Sequence, residues 1–314
     1  MLSHDAIAAA GEVVARELAA TPLVSHPLLD RAVGTEVLVK HEHVLPTGSF
    51  KVRGGVHLAA RLTDEEASSG LVTCSTGNHA QSVAYAARLA GCHATVVMPA
   101  CAPQVKRDAV EALGATVVIH GAGLGEAAQH ARALAGGAGA PSYIDTTDER
   151  IILGHGTAYL ELFQQAVDLD AVFVPIGSGT GAVGACLVRD ALMPGCRVVG
   201  VQSEAAPAVW RSWRSGGIET APARTRASGL ATTSGYPATL PVLRDGLADF
   251  VLVSDDDIDH AARLLAERAH TLAEGAGAAA LAGLLAAADR PRRVAVVCTG
   301  ANASADEIAR LTAA

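Results

Sequence analysis

Ala171-Val172-Phe173-Val174-Pro175-Ile176-Gly177-Ser178-Gly179-Thr180-Gly181 is a short apolar run followed by a glycine-rich loop, and it opens onto the Ala/Val-rich run that ends at Leu192. An apolar run without polar alternation is what a strand buried on both faces shows, as in a parallel sheet. Three glycines let the backbone approach an anion closely, and Ser178 and Thr180 add hydroxyl donors. The reading is a strand at 171–175, an anion-binding turn and a helix at 181–192. No Gly-Lys-Ser/Thr follows, so this is not a P-loop. Gln202 falls where a dinucleotide site would place an acid.

The same alternation extends along the 314 residues. Strands are expected at 36–41, 71–74, 94–98, 116–119, 171–175, 197–202, 249–253 and 293–298. Helices are expected between them at 80–90, 103–113, 125–135, 157–165, 181–192 and 256–268. This is an α/β pattern of open, mostly parallel sheets flanked by helices. A Gly/Ala/Pro stretch at 136–141 marks a break. The larger unit is expected to hold residues 1–52 and 141–314, with a smaller unit, 53–140, inserted in it. Residues 214–241 lack periodicity, and a loop of that length points to specificity or motion.

Composition excludes several classes. The net charge is −8 and no basic stripe is present, which argues against nucleic acid. Six cysteines show neither C-x-x-C pairing nor regular spacing, which favours a reducing cytoplasm over a disulfide framework or zinc site. The acidic residues of the first twenty positions argue against a signal peptide, and Gly275–Ala288 is too short to span a bilayer.

Four other segments carry candidate chemistry. In Thr47-Gly48-Ser49-Phe50-Lys51-Val52-Arg53-Gly54, a lysine follows a Gly-Ser turn at a helix start. The helix dipole there disfavours its charge, as a Schiff-base lysine requires. Ser75-Thr76-Gly77-Asn78-His79 follows a strand and opens a helix, a place for a carboxylate. Cys298 stands at the end of the last strand, where ligands of open sheets bind. Glu274 precedes the buried helix and is read there as its N-terminal cap.

In this order, from Pro22 to Asn302, the motifs resemble the fold-type II pyridoxal-phosphate enzymes with the tryptophan-synthase-β-like fold. The resemblance is to the threonine/serine dehydratase branch, which includes serine racemase and the dehydratases of hydroxyectoine utilisation. It implies that Lys51, beside Phe50, carries pyridoxal 5'-phosphate as a Schiff base and removes the substrate α-proton. Asn78 would meet the ring hydroxyl, and Gly177, Ser178, Gly179, Thr180 and Gly181 would hold the phosphate. Cys298, with Glu274 nearby, would meet the ring nitrogen. Ser75, Thr76, Asn78 and His79 would face the substrate carboxylate, with Thr76 catalytic on the face opposite Lys51. The implied reaction is β-elimination of water from a β-hydroxy amino acid such as L-threonine or L-serine, giving a 2-oxo acid and ammonia. Racemisation, and a binding protein that keeps the fold, are the alternatives. A cytoplasmic homodimer without membrane, nucleic-acid or metal partners is expected.

Four further features are read as structural. His41 and His43 are expected on one face of a strand. His155 is expected ahead of a helix in a capping or structural role. Trp210 and Trp213 are expected to serve packing or a subunit contact, and Asp255–Asp257 to start a helix.

Overall fold

The computed structural model describes residues 1–137 and 139–312. β1 (Leu23–Ser25) and β2 (Glu36–His41) begin a larger sheet. The chain then builds a smaller one from β3 (Leu71–Cys74), β4 (Ala94–Met98), β5 (Thr116–Ile119) and β6 (Ser142–Tyr143). It returns to the first with β7 (Ala171–Pro175), β8 (Arg197–Ser203), β9 (Asp249–Val253) and β10 (Arg293–Cys298). The orders are β1-β2-β10-β7-β8-β9 and β5-β4-β3-β6, and every pairing except β1 with β2 is parallel.

All eight expected strands are present, with β8 one residue longer. The unexpected β1 and β6 have three and two residues, too few to show a period. β6 pairs with β3, so the smaller sheet closes at Tyr143, past the expected limit of 140.

Between the strands run helices, and small residues set how closely they approach. The buried helix Gly275–Ala286 lies against the larger sheet. A Cβ on Gly283 would come within 2.3 Å of Val201. The helix expected at 157–165 in fact begins at Glu149. Gly154 and Gly156 obscure it in sequence, yet both are packing positions. A Cβ on Gly154 would meet Arg53 O at 2.5 Å, and one on Gly156 would meet the Ile7 side chain at 2.8 Å. His155 is therefore interior to this helix and not a cap ahead of it. The strand bearing His41 stops there, and Glu42–Val44 form a 3-10 turn, so His41 and His43 do not share a strand face. Asp255–Asp257 do open a helix, capped by Ser254, whose Oγ accepts from Asp257 N.

Beneath the lysine segment lies a buried ion cluster. Arg53 donates to both Glu42 oxygens (2.6 and 2.9 Å) and both Glu161 oxygens (2.7 Å each). Lys40 Nζ donates to Glu161 at 3.0 Å. Lys40, Glu42 and Arg53 are fully buried.

Candidate active site

The loops after β3, β7 and β10 enclose a cavity of about 230 Å³ between the two sheets. Five helices begin at its wall: Lys51–Ala59, Asn78–Ala90, Leu124–Leu134, Thr180–Leu192 and Gly275–Ala286. First-turn N–H groups have no intrahelical acceptor and carry the positive end of the dipole, so the cavity is built for anions.

The segment before Lys51 is pinned to the end of β10. Phe50 N donates to Thr299 O at 2.9 Å, and Ala301 N donates to Gly48 O at 2.9 Å. Gly48 has φ +65°, and a Cβ there would lie 2.9 Å from Asn302 Oδ1, so glycine is required. Lys51 then opens its helix with Nζ 3.4 Å from Thr180 Oγ1 and 5.2 Å from the Phe50 ring centroid. Burial lowers its pKa from 10.5 to about 8.

Opposite is the glycine loop. Gly179 is left-handed (φ +85°), and a Cβ on Gly177 would meet Gly229 O at 2.4 Å. The loop can thus be neither straightened nor filled, and Gly177 through Gly181 all line the cavity.

Asn78 is held from two sides. Its Nδ2 donates to Glu274 Oε1 at 2.6 Å, and its Oδ1 accepts from Asn302 Nδ2 at 2.8 Å. Glu274 does occupy the N-cap position of its helix, but its side chain makes no capping bond; Glu307 Oε1 accepts from Gly275 N instead, at 3.0 Å. Burial raises the Glu274 pKa despite Lys106 and the Asn78 bond, which lower it. Ser75, Thr76 and His79 also reach the wall. His79 is lowered to about 4, by burial first and Lys51 second, so it stands neutral at pH 7.

One expected residue is misplaced. Cys298 is 1% exposed and does not line the cavity, whereas Thr299 does. Consecutive residues at a strand end point to opposite sides, so a one-residue offset exchanges wall for core. The cysteine packs with the core beneath the Gly275–Ala286 helix, and burial pushes its thiol far up. Thr299 Oγ1 donates to Ala276 O at 3.2 Å. The sequence reading also missed Leu124 and Thr146, which line the cavity. Its marked stretch 214–241 does contribute, through residues 228–232 and Tyr236.

A family model described as pyridoxal-phosphate dependent enzyme matches residues 14–300. The chain belongs to this family. Among its relatives, the L-threonine ammonia-lyase of Thermotoga maritima is 35% identical over 93% of this chain and 73% of its own length. The L-threo-3-hydroxyaspartate ammonia-lyase of Pseudomonas sp is 36% identical over 98% of this chain and 97% of its own. The crystal structure of the threonine deaminase of T.th. superposes with a TM-score of 0.91 at 38% identity, covering 96% of this chain and 99% of that one.

The donor set fits the cofactor. Pyridoxal phosphate has an aldehyde, a phosphate and a ring hydroxyl. The cavity offers a buried amine, a helix N-terminus behind a bare glycine loop, and a fixed carboxamide.

Proposed function

We propose that this enzyme eliminates water from a small, neutral β-hydroxy amino acid such as L-threonine or L-serine, releasing a 2-oxo acid and ammonia. The observation that carries this reading is the placement of the Lys51 amine between two anion sites, the glycine loop and the Ser75–Asn78 helix start. The bound cofactor supplies an electron sink that acidifies the substrate α-proton.

Lys51 is the attachment point, Gly177–Gly181 the phosphate cradle, and Asn78 the partner of the ring hydroxyl. The Asn78 helix N-terminus, with Ser75 and Thr76, receives the substrate carboxylate. Free Lys51, with a pKa of about 8, is a base matched to neutral pH and takes the α-proton. Thr76 lines the same cavity and is assigned to the substrate's other face.

A neutral substrate is favoured by the wall. Among the described lining residues Lys51 is the one basic side chain charged at pH 7, and Leu124, Thr146, Thr232 and Tyr236 offer only apolar surface and hydroxyls. A second substrate carboxylate would lose its water without gaining a cation. Oxo-acid release is therefore expected from L-threonine and L-serine, with kcat/KM for L-threo-3-hydroxyaspartate at least about tenfold lower. Preference for the diacid would overturn the substrate class. Recovery of the other enantiomer without oxo acid would establish a racemase.

Thr299 is proposed in place of Cys298 as the ring-nitrogen partner. Thr299→Val is expected to weaken cofactor binding about tenfold in equilibrium dialysis, the worth of one hydrogen bond. Cys298→Ala should leave it within about twofold, since the thiol lies outside the cavity. The reverse ranking would restore the cysteine.

The two sheets are read as two lobes, with β6 added to the inserted segment 53–140. All six cysteines are free, which supports a reducing cytoplasm. The family resemblance supports a homodimer, and light scattering that finds monomer at every concentration would refute it.

A further inference from the structure

His155 is a buried titratable group with no role in the mechanism above. It is fully buried within the helix Glu149–Gln165, and its ring packs on Phe50 with centroids 4.7 Å apart. Its Nδ1 lies 3.0 Å from Thr180 Oγ1, the same oxygen that lies 3.4 Å from Lys51 Nζ. Its Nε2 meets no hydrogen-bond partner among the described residues. Gly54 leaves room for the ring, because a Cβ there would come within 2.7 Å of Nε2. Burial, with cationic Lys51 second, pushes the His155 pKa far down, so the imidazole is neutral.

A neutral imidazole has one N–H and one acceptor nitrogen, and a threonine hydroxyl has one proton. The Lys51 ammonium can only donate, so it uses a lone pair of Thr180. The hydroxyl proton then points to the nearest acceptor, His155 Nδ1. The lysine charge favours this arrangement, because bonds running in one direction polarise one another.

We propose that His155 is a positioning residue: as the Nε2–H tautomer it takes the Thr180 hydroxyl proton and turns the threonine lone pairs toward the free Lys51 amine. It acts through Thr180 and touches no substrate. The sequence reading gave both loop hydroxyls to the phosphate. Here the Thr180 proton is committed elsewhere while Lys51 is free, leaving the backbone N–H groups and Ser178 as the donors. The inference rests on the role assigned to Lys51, but the tautomer is measurable whether or not that role holds.

The test is long-range ¹⁵N–¹H correlation on the full chain labelled at histidine and freed of cofactor, with His155 assigned by its loss in His155→Asn. The Nε2–H pattern is expected, unchanged from about pH 6 to about pH 7, where Lys51 is an ammonium. An Nδ1–H pattern, or protonation in that range, overturns the proposal. The chain has three lysines, Lys40, Lys51 and Lys106, so reductive ¹³C-methylation can follow Lys51 directly. His155→Leu should lower its pKa by about one unit, the scale of one hydrogen bond to a charged group. His155→Asn keeps an acceptor where Nδ1 stood and should hold the pKa within about 0.3 units of wild type. An unchanged value in His155→Leu also overturns the proposal. If the leucine variant does not fold, the tautomer and the asparagine variant still decide.

Discussion

Lys51→Met is expected to abolish turnover and, at pH 7, to make the cofactor-free chain more stable. The loss of activity should be at least about 10³-fold, because the variant lacks both the attachment point and the base. The visible absorbance of lysine-bound cofactor should vanish with it. The gain in stability follows from the lowered pKa. An ammonium whose pKa falls from 10.5 to about 8 on folding is held against its preference. Below about pH 8 the folded state carries the whole of that cost. Between 8 and 10.5 the unfolded chain binds the extra proton, so stability rises with pH. Above 10.5 both states are neutral and the cost is gone. The gap between variant and wild type should thus be largest near pH 7, on the order of 2 kcal/mol, and should close toward pH 10.5. That figure allows for the cavity beside the amine, which admits water. Urea titrations at the two pH values measure it. Equal stability at pH 7 would mean the amine is better solvated than its surroundings suggest, and retained turnover would remove Lys51 from the chemistry. Function here is kept at the expense of stability.

The sequence made legible what depends on local pattern. Most of the eight longer strands are Val-rich runs without period-2 alternation, and the glycine-bearing loops after β3 and β7 mark strand-to-helix turns. Lys51, Asn78 and the 177–181 loop were therefore found as separate motifs, and the fold brings them to one cavity. Three features were not legible, for distinct reasons. Thr299 was passed over for Cys298 because the end of β10 gives no sign of which neighbour faces inward, and one residue reverses the answer. The helix around His155 was cut short because Gly154 and Gly156 resemble breakers, although they serve close contact with Arg53 and Ile7. The third is the ion cluster. Lys40, Glu42, Arg53 and Glu161 come from a strand, a turn and two helices. Spacings of 2, 11 and 108 residues carry no period, and only the folded chain shows that these charges are buried together.

That cluster carries the second large effect, because Arg53→Leu should destabilise the protein by about 3–5 kcal/mol. The guanidinium is fully buried and saturates two carboxylates, Glu42 and Glu161. With Lys40 it makes two cations against two anions, a neutral set inside an apolar surround. Removing it leaves Glu42 with the Thr21 hydroxyl, 2.6 Å away, as its remaining side-chain partner, and a buried carboxylate so placed must protonate or unfold its neighbourhood. A second replacement separates charge from packing. Glu42→Met in the Arg53→Leu background removes the stranded carboxylate and should recover at least about half of the loss, a coupling the double-mutant cycle measures. If the double variant is as unstable as the sum of the singles, the cluster acts through shape and not charge. Activity gives a further readout, because Arg53 lies two residues after Lys51 on the same helix turn. Its four bonds to carboxylates reach Glu42 beyond β2 and Glu161 on the 149–165 helix, and so fix where the lysine helix begins. A double variant that recovers stability but lacks those bonds should still turn over more slowly, since Nζ is no longer held against Thr180. Full activity in that variant would show that the Phe50–Thr299 and Ala301–Gly48 pinning alone suffices to aim the lysine.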